Sequence, residues 1–117
     1  MDKGAIFSED RKHRFVLIRI WDETKPKMMF IGLNPSKADE KDNDNTITKV
    51  IKIAQHNGFG GCYMLNLFSY VSTDSTNQQI CVDTELNDLF LKEYASKSDK
   101  VVFAWGGFKI AKARAKI

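Results

Sequence analysis

Lys27-Met28-Met29-Phe30-Ile31-Gly32-Leu33-Asn34-Pro35-Ser36 is the stretch on which the fold turns. The run from Met28 to Leu33 has strand length and no polar alternation, the pattern of a strand buried on both faces. Pro35 cannot extend a central ladder, so the run ends sharply in the Asn34-Pro35-Ser36 turn. A strand of this kind belongs to a sheet covered by helices on both sides, and the flanking sequence is read for those parts.

Upstream, Arg14 to Trp21 is rich in β-branched and aromatic residues and stops at the polar stretch Asp22 to Pro26, which reads as a first strand and a turn. Downstream, a polar loop from Lys37 leads to Ile47, Val50, Ile51 and Ala54 at helical spacing, with Asn45 or Thr46 as the expected cap and Gly58 as the stop. Cys62 to Phe68 reads as a third strand, followed by a Ser/Thr/Asp/Asn-rich loop from Ser69 to Gln79. Asp83 or Thr84 can cap a helix running through Ser96, with Leu86, Leu89, Phe90 and Tyr94 as its apolar stripe. Lys100 to Trp105 is the last strand, Gly106-Gly107 its exit, and Ile110, Ala111, Arg114 and Ala115 suggest the start of one more helix.

This alternation predicts an α/β fold, a three-layer α/β/α sandwich on a mainly parallel central sheet. The strands over 14–21 and 27–33 are expected to form an N-terminal antiparallel hairpin at its edge. The 117 residues are expected to make one domain, since length over about 150 residues is the usual prior. With 43% hydrophobic and 28% charged residues, the composition excludes disorder, collagen-like repeats and coiled coils. No apolar stretch approaches the roughly 18 residues of a membrane span, and Met1-Asp2-Lys3-Gly4 leads into no apolar signal region. A soluble, cytoplasmic protein with no membrane association is therefore expected. The net charge of +3 comes largely from Lys109, Lys112, Arg114 and Lys116, which suit either a solvated helix face or a contact with nucleic acid. Cys62 and Cys81 lack the spacing and partners of a metal site and read as reduced packing residues.

Right-handed crossovers would bring the carboxyl ends of the three parallel strands to one rim, where ligands bind in open α/β sheets. That rim carries Gly32, Asn34, Pro35 and Ser36, then Asn66, Phe68 and Tyr70, then Trp105 and Gly106. Asn34 and Asn66 each offer an acceptor and a donor, suited to a nucleobase edge or to holding a water; Phe68, Tyr70 and Trp105 could stack on a planar ligand. The glycines would let backbone approach it closely. Each has a structural alternative: an Asx turn for Asn34, a loop tie for Asn66, core packing for the aromatics. Asp39, Glu40, Asp42 and Asp44 suit either a solvated loop or a Mg²⁺ site, with no metal or other cofactor expected because the spacing matches no ion-binding loop. His13 and His56 are expected to lie away from the rim. Nucleophile-elbow, phosphate-loop, zinc-protease and dinucleotide motifs are missing, which removes common enzyme classes.

Phe7-Ser8, Phe15 to Trp21, Phe30 to Ser36, Ala38-Asp39, Asp44 to Ile47, Gly58 to Gly61, Asn66 to Tyr70, Thr73-Asp74 and Ala104 to Gly106 together resemble the bacterial and phage domain-of-unknown-function 1643 family. That resemblance implies relatives rather than a reaction, and implicates Asp39 with the rim residues as ligand-binding. Relatives continue to a His-Pro-Leu-like segment, so this chain is expected to be truncated at its C-terminus, with self-association through the opened edge. They also carry Asp-Pro-Thr where Asp44-Asn45-Thr46 stands, and an arginine in place of Val71. A second resemblance, of Gly32-Leu33-Asn34-Pro35 to the Gly-x-Asn-Pro turn of the uracil-DNA glycosylase superfamily, implies that Asn34 positions the attacking water and Asn66 reads the base. A base flipped out of a duplex would reach such a site. The expected partners are thus a nucleobase, a nucleotide or nucleic acid, for a glycosylase-like enzyme or a non-catalytic binding remnant.

Overall fold

The computed structural model describes residues 1–72 and 85–104. In chain order the elements are β1 (Asp2–Phe7), β2 (Arg14–Ile20), β3 (Lys27–Gly32), α1 (Asn45–His56), β4 (Gly61–Asn66), α2 (Glu85–Lys97) and β5 (Lys100–Phe103). The fold is α/β, with five strands in one sheet ordered β1-β2-β4-β3-β5.

The sheet is mixed rather than mainly parallel. β1 pairs antiparallel with β2, and β2 antiparallel with β4, whereas β3 runs parallel to both β4 and β5. An antiparallel hairpin does form the N-terminal edge, but it joins 2–7 to 14–20; the expected pairing of 14–21 with 27–33 does not occur. Its connection explains why: Trp21 and Asp22 both donate their amides to the Gly60 carbonyl at 2.9 Å, and Gly60 donates to the Pro26 carbonyl at 2.8 Å. The chain leaving β2 is thus held by the corner that starts β4, and β4 occupies the place beside β2. The short strand β1 escaped the sequence pattern because Asp2-Lys3-Gly4 opens it with exposed or backbone-only residues.

Strand residues face two cores, alternating except at the irregularity in β2 that leaves Phe15 and Val16 in one of them. Leu17, Met28, Phe30, Cys62 and Met64 pack with Ile47, Val50, Ile51 and Ala54 of α1. On the opposite face Phe15, Val16, Met29, Ile31 and Leu65 pack with Tyr94, Phe90 and Leu91 of α2. The apolar stripe of α1 is the one its periodicity predicts. Its cap is Asp44, however, whose carboxylate accepts the Ile47 amide at 2.9 Å, so the helix begins where Asn45 or Thr46 was expected to cap. Gly58 follows its end with φ +81°, the left-handed conformation that favours glycine.

The stripe of α2 differs from expectation. Leu86 and Leu89 are exposed, and the inward positions are Asn87, Leu91 and Tyr94, with Phe90 beside them. The helix is rotated so that Asn87 Nδ2 reaches the Asn66 and Leu67 carbonyls at 2.8 and 3.1 Å. The two hydrogen bonds that Asn87 Nδ2 donates favour this rotation over one that buries Leu86 and Leu89. β4 accordingly ends at Asn66 rather than Phe68, and β5 ends at Phe103. The expected cap at Asp83 or Thr84, the exit at Trp105-Gly106-Gly107 and the last helix lie outside the described residues. Among the described residues no helix is long and apolar enough to cross a membrane.

A Cβ at Gly60 would lie 1.9 Å from the Asp22 carbonyl oxygen, which is backbone and has nowhere to retreat. Gly60→Ala is expected to lower unfolding stability by roughly 1–3 kcal/mol in a urea titration; an unchanged midpoint would show that this corner does not fix the strand order.

Candidate functional site

The parallel register of β3 and β4 sets Gly32 opposite Asn66. A Cβ at Gly32 would stand 2.7 Å from Asn66 Oδ1 and 2.8 Å from Met64 Cε, so the Asn66 side chain occupies space that only a glycine leaves open. Beyond Gly32 the chain turns through Asn34 and Pro35. Asn34 Nδ2 donates to the Ser72 carbonyl at 2.7 Å and to the Pro35 carbonyl at 3.3 Å, and Ser72 N donates to the Pro35 carbonyl at 2.9 Å. The Asn34 amide therefore ties the turn after β3 to the loop after β4.

Asn34 and Asn66 border one narrow pit, together with Arg14, Pro35, Ser36 and Asp44, above a floor of Leu17 and Met64. Its volume of about 20 Å³ is that of a single water. It adjoins a wider cleft of about 370 Å³ bordered by Asn34, Ser36, Lys37, Asp44, Asn45 and Ser72, at the N-terminus of α1. Four predicted residues, Asn34, Pro35, Ser36 and Asn66, thus meet at the pit, and Gly32 supports it from below.

The other predicted residues lie elsewhere. Asp39 borders neither space; its carboxylate accepts the Lys41 and Asp42 amides at 2.8 and 2.7 Å and closes a turn. Phe68 is buried in the core on the α2 face, and Tyr70 packs against that core with the His13 ring edge-on to it. Trp105 and Gly106 lie outside the described residues. His13, expected away from the rim, stands beside the end of β4: its Nδ1 is 2.8 Å from Ser69 Oγ, and residues 13 and 70 form a β-bridge. The bridge continues the β2 direction past Arg14, which the sequence pattern makes the first residue of an isolated strand. Among the described residues no group of three or more acidic, histidine or cysteine side chains is placed to hold a metal. Glu40 instead pairs with Arg11 at 2.9 Å. Cys62 is buried in the core, and desolvation pushes its thiol up to about 12 despite the opposing charge of Arg19.

Two arginines carry the site, and neither stands out in the sequence pattern. Arg19, 0% exposed, donates from Nε to Asn43 Oδ1 at 2.9 Å. Its Nη1 reaches the Gly4 and Ile18 carbonyls at 3.4 and 2.8 Å, and its Nη2 those of Asp39 and Asp42 at 2.6 and 3.2 Å. All five donors of the guanidinium are engaged, and the 39–43 loop is fastened over β2. Arg14, 3% exposed, donates from Nη1 to the Ala38 carbonyl at 2.9 Å, but its Nε has no partner. Asn66 Nδ2, in a side chain that is 2% exposed, has none either. Burial lowers the Arg14 pKa to about 10, Asp44 opposes the shift and Arg19 adds to it, so Arg14 stays charged at neutral pH. A signal for both was present in the sequence: an arginine inside a run expected to be buried is a charge that must find acceptors.

Asp44 joins the parts. Its carboxylate accepts the Ser36 hydroxyl at 2.7 Å as well as the Ile47 amide. Burial raises its pKa, but the Ile47 amide, the Ser36 hydroxyl, the Ala38 amide and the Arg14 charge outweigh that and leave it below the usual carboxylate value. A carboxyl with a depressed folded-state pKa stabilises the fold above its unfolded pKa of 3.8, and that contribution disappears as pH falls through the lower folded value. Asp44→Asn is expected to flatten the acid limb of stability against pH below about pH 4, a limb that Asp10, Asp22, Asp39 and Glu40 keep in part because their pKa values are lowered too; an identical acid limb would remove Asp44 from this role. Gly32→Ala is expected to cost about 1–3 kcal/mol by displacing Asn66 and Met64, and the same stability in thermal unfolding would mean that Asn66 does not need that space.

No curated protein and no solved structure matches the chain. Residues 14–117 match the family described as Protein of unknown function (DUF1643), and the chain belongs to that family.

Proposed function

We propose that the cleft at the strand carboxyl ends binds a nucleobase-bearing ligand, and that the pit beneath it seats the water of a glycosylase-like hydrolysis. The observation carrying this reading is that Asn34 and Asn66, from separate strand ends, border one water-sized pit that opens on the cleft. At about 370 Å³ the cleft lies at the lower end of the range for small-ligand sites, which suits a nucleoside. The uracil-DNA glycosylase-like resemblance of the Gly32-Leu33-Asn34-Pro35 turn supports the same reading, as does a helix on each face of the sheet. In this scheme Asn34 orients the water through its carbonyl oxygen, its nitrogen being engaged. Water attacks the glycosidic carbon, the carbon–nitrogen bond breaks, and the base leaves with the bonding pair and takes up the proton the water gives up, while Asn66 holds its edge.

A non-catalytic binding module is the second reading. The commitment of the Asn34 amide to two backbone carbonyls favours it, because that residue then has a structural duty independent of any water.

Incubation with uracil- and mismatch-containing oligonucleotides is expected to yield abasic sites, with Asn34→Ala lowering the rate by about a hundredfold. Stabilisation by nucleosides in a thermal melt without abasic sites would select the second reading. Neither cleavage nor stabilisation would leave both without support.

A further inference from the structure

Arg14 Nε and Asn66 Nδ2 are two donors in side chains that are 3% and 2% exposed, both bordering the pit and both without a hydrogen-bond partner. Leaving a buried donor unpaired is costly, and more so when it belongs to a charged group. Arg19 on the same strand shows how this protein treats a buried guanidinium that serves structure alone, for every one of its donors is matched. Arg14 borders the pit, is held at Nη1 by the Ala38 carbonyl and has no partner at Nε. A neutral water would satisfy the donors, but an anion would also pair directly with the guanidinium, which among the described residues makes no ion pair within 4.0 Å. Asp44 borders the pit and its charge acts on Arg14, but its carboxylate holds the Ile47 amide and the Ser36 hydroxyl and meets neither open donor. Lys37 borders the adjoining cleft, so two cations face one carboxylate, and the N-terminal end of α1 lies beside them.

We infer that Arg14 and Asn66 form a seat for an anionic oxygen of the ligand, a phosphate or carboxylate oxygen, with the body of the ligand in the cleft. The inference rests on the cleft being the ligand site proposed above and takes its binding-module reading, because a pit of about 20 Å³ holds one oxygen and cannot seat an attacking water as well; it makes that ligand a nucleotide rather than a free base or nucleoside. One oxygen fills a space of about 20 Å³, accepts from both donors and gives Arg14 an ion pair of its own.

The test is a thermal melt and calorimetric titration of the full chain with sodium phosphate, sodium acetate, uridine and uridine 5′-monophosphate at constant ionic strength. Saturating phosphate is expected to raise the melting temperature by roughly 5 °C or more, and the monophosphate to bind at least tenfold more tightly than uridine. A response to acetate with none to phosphate would assign the seat to carboxylates and overturn the nucleotide. Asn66→Asp, nearly isosteric, replaces donors by acceptors and adds a like charge, so it is expected to abolish the phosphate response while its unliganded circular dichroism and melting remain cooperative. Should that variant fail to fold, the ratio of monophosphate to uridine affinity in the unaltered chain still decides. Uridine binding as tightly as its monophosphate, with no response to either anion, would overturn the seat while leaving the nucleobase reading standing. Phosphate binding with no preference for a nucleotide over bare phosphate would uphold the seat and overturn the nucleobase reading.

Discussion

Two guanidinium groups buried on one face of β2 constrain everything around them. Removing a cation from water costs several kcal/mol unless the protein supplies acceptors in its place, and here the acceptors are backbone carbonyls of the 38–42 segment. That loop cannot lift away without taking the Ala38 carbonyl from Arg14 and the Asp39 and Asp42 carbonyls from Arg19. Its position in turn places Asp44 to cap α1, and α1 to cover the face lined by Leu17, Phe30 and Met64. The apolar core and the polar loop are therefore not separate achievements of the fold, because the same strand commits both.

The pit is the by-product of that commitment. Gly32 makes room for Asn66, Asn87 holds the Asn66 carbonyl from the α2 side, and Asn34 ties the two loops that roof the space. Three asparagines thus serve one strand end in different ways, two through backbone ties and one with its amide nitrogen left open. A side chain fully used in holding structure has little left for a ligand, and by that criterion Asn66 and Arg14 carry more chemical capacity than Asn34.

Much of this was legible in the sequence where one residue pattern had one physical meaning. The apolar run ending at Pro35 could only be a buried strand, and Ile47, Val50, Ile51 and Ala54 could only be a helix face, so both appear where expected. The meeting of Asn34 and Asn66 followed from parallel strands ending together. What escaped depended on partners far away in the chain. Which strand lies beside β2 is decided at Gly60, and the rotation of α2 is decided by carbonyls at residues 66 and 67. Asp44 rather than Asn45 caps α1 because Ser36 and Arg14 share its carboxylate environment, a fact no local window contains. His13 reaches the rim through a bridge to Tyr70 that its own neighbours do not announce.

The strand order also has a bearing on how the chain is born. β4 lies between β2 and β3, so as the polypeptide emerges the first sixty residues hold only the β1–β2 hairpin as locally closed pairing. β3, with its apolar run of methionine, phenylalanine and isoleucine, must wait for residues 61–66 before either of its edges is matched. Such delayed, non-local closure slows folding and lengthens the interval in which an apolar edge is open to other chains. The wedge-like insertion of β4 is thus the step at which a nascent collapsed hairpin becomes a sheet.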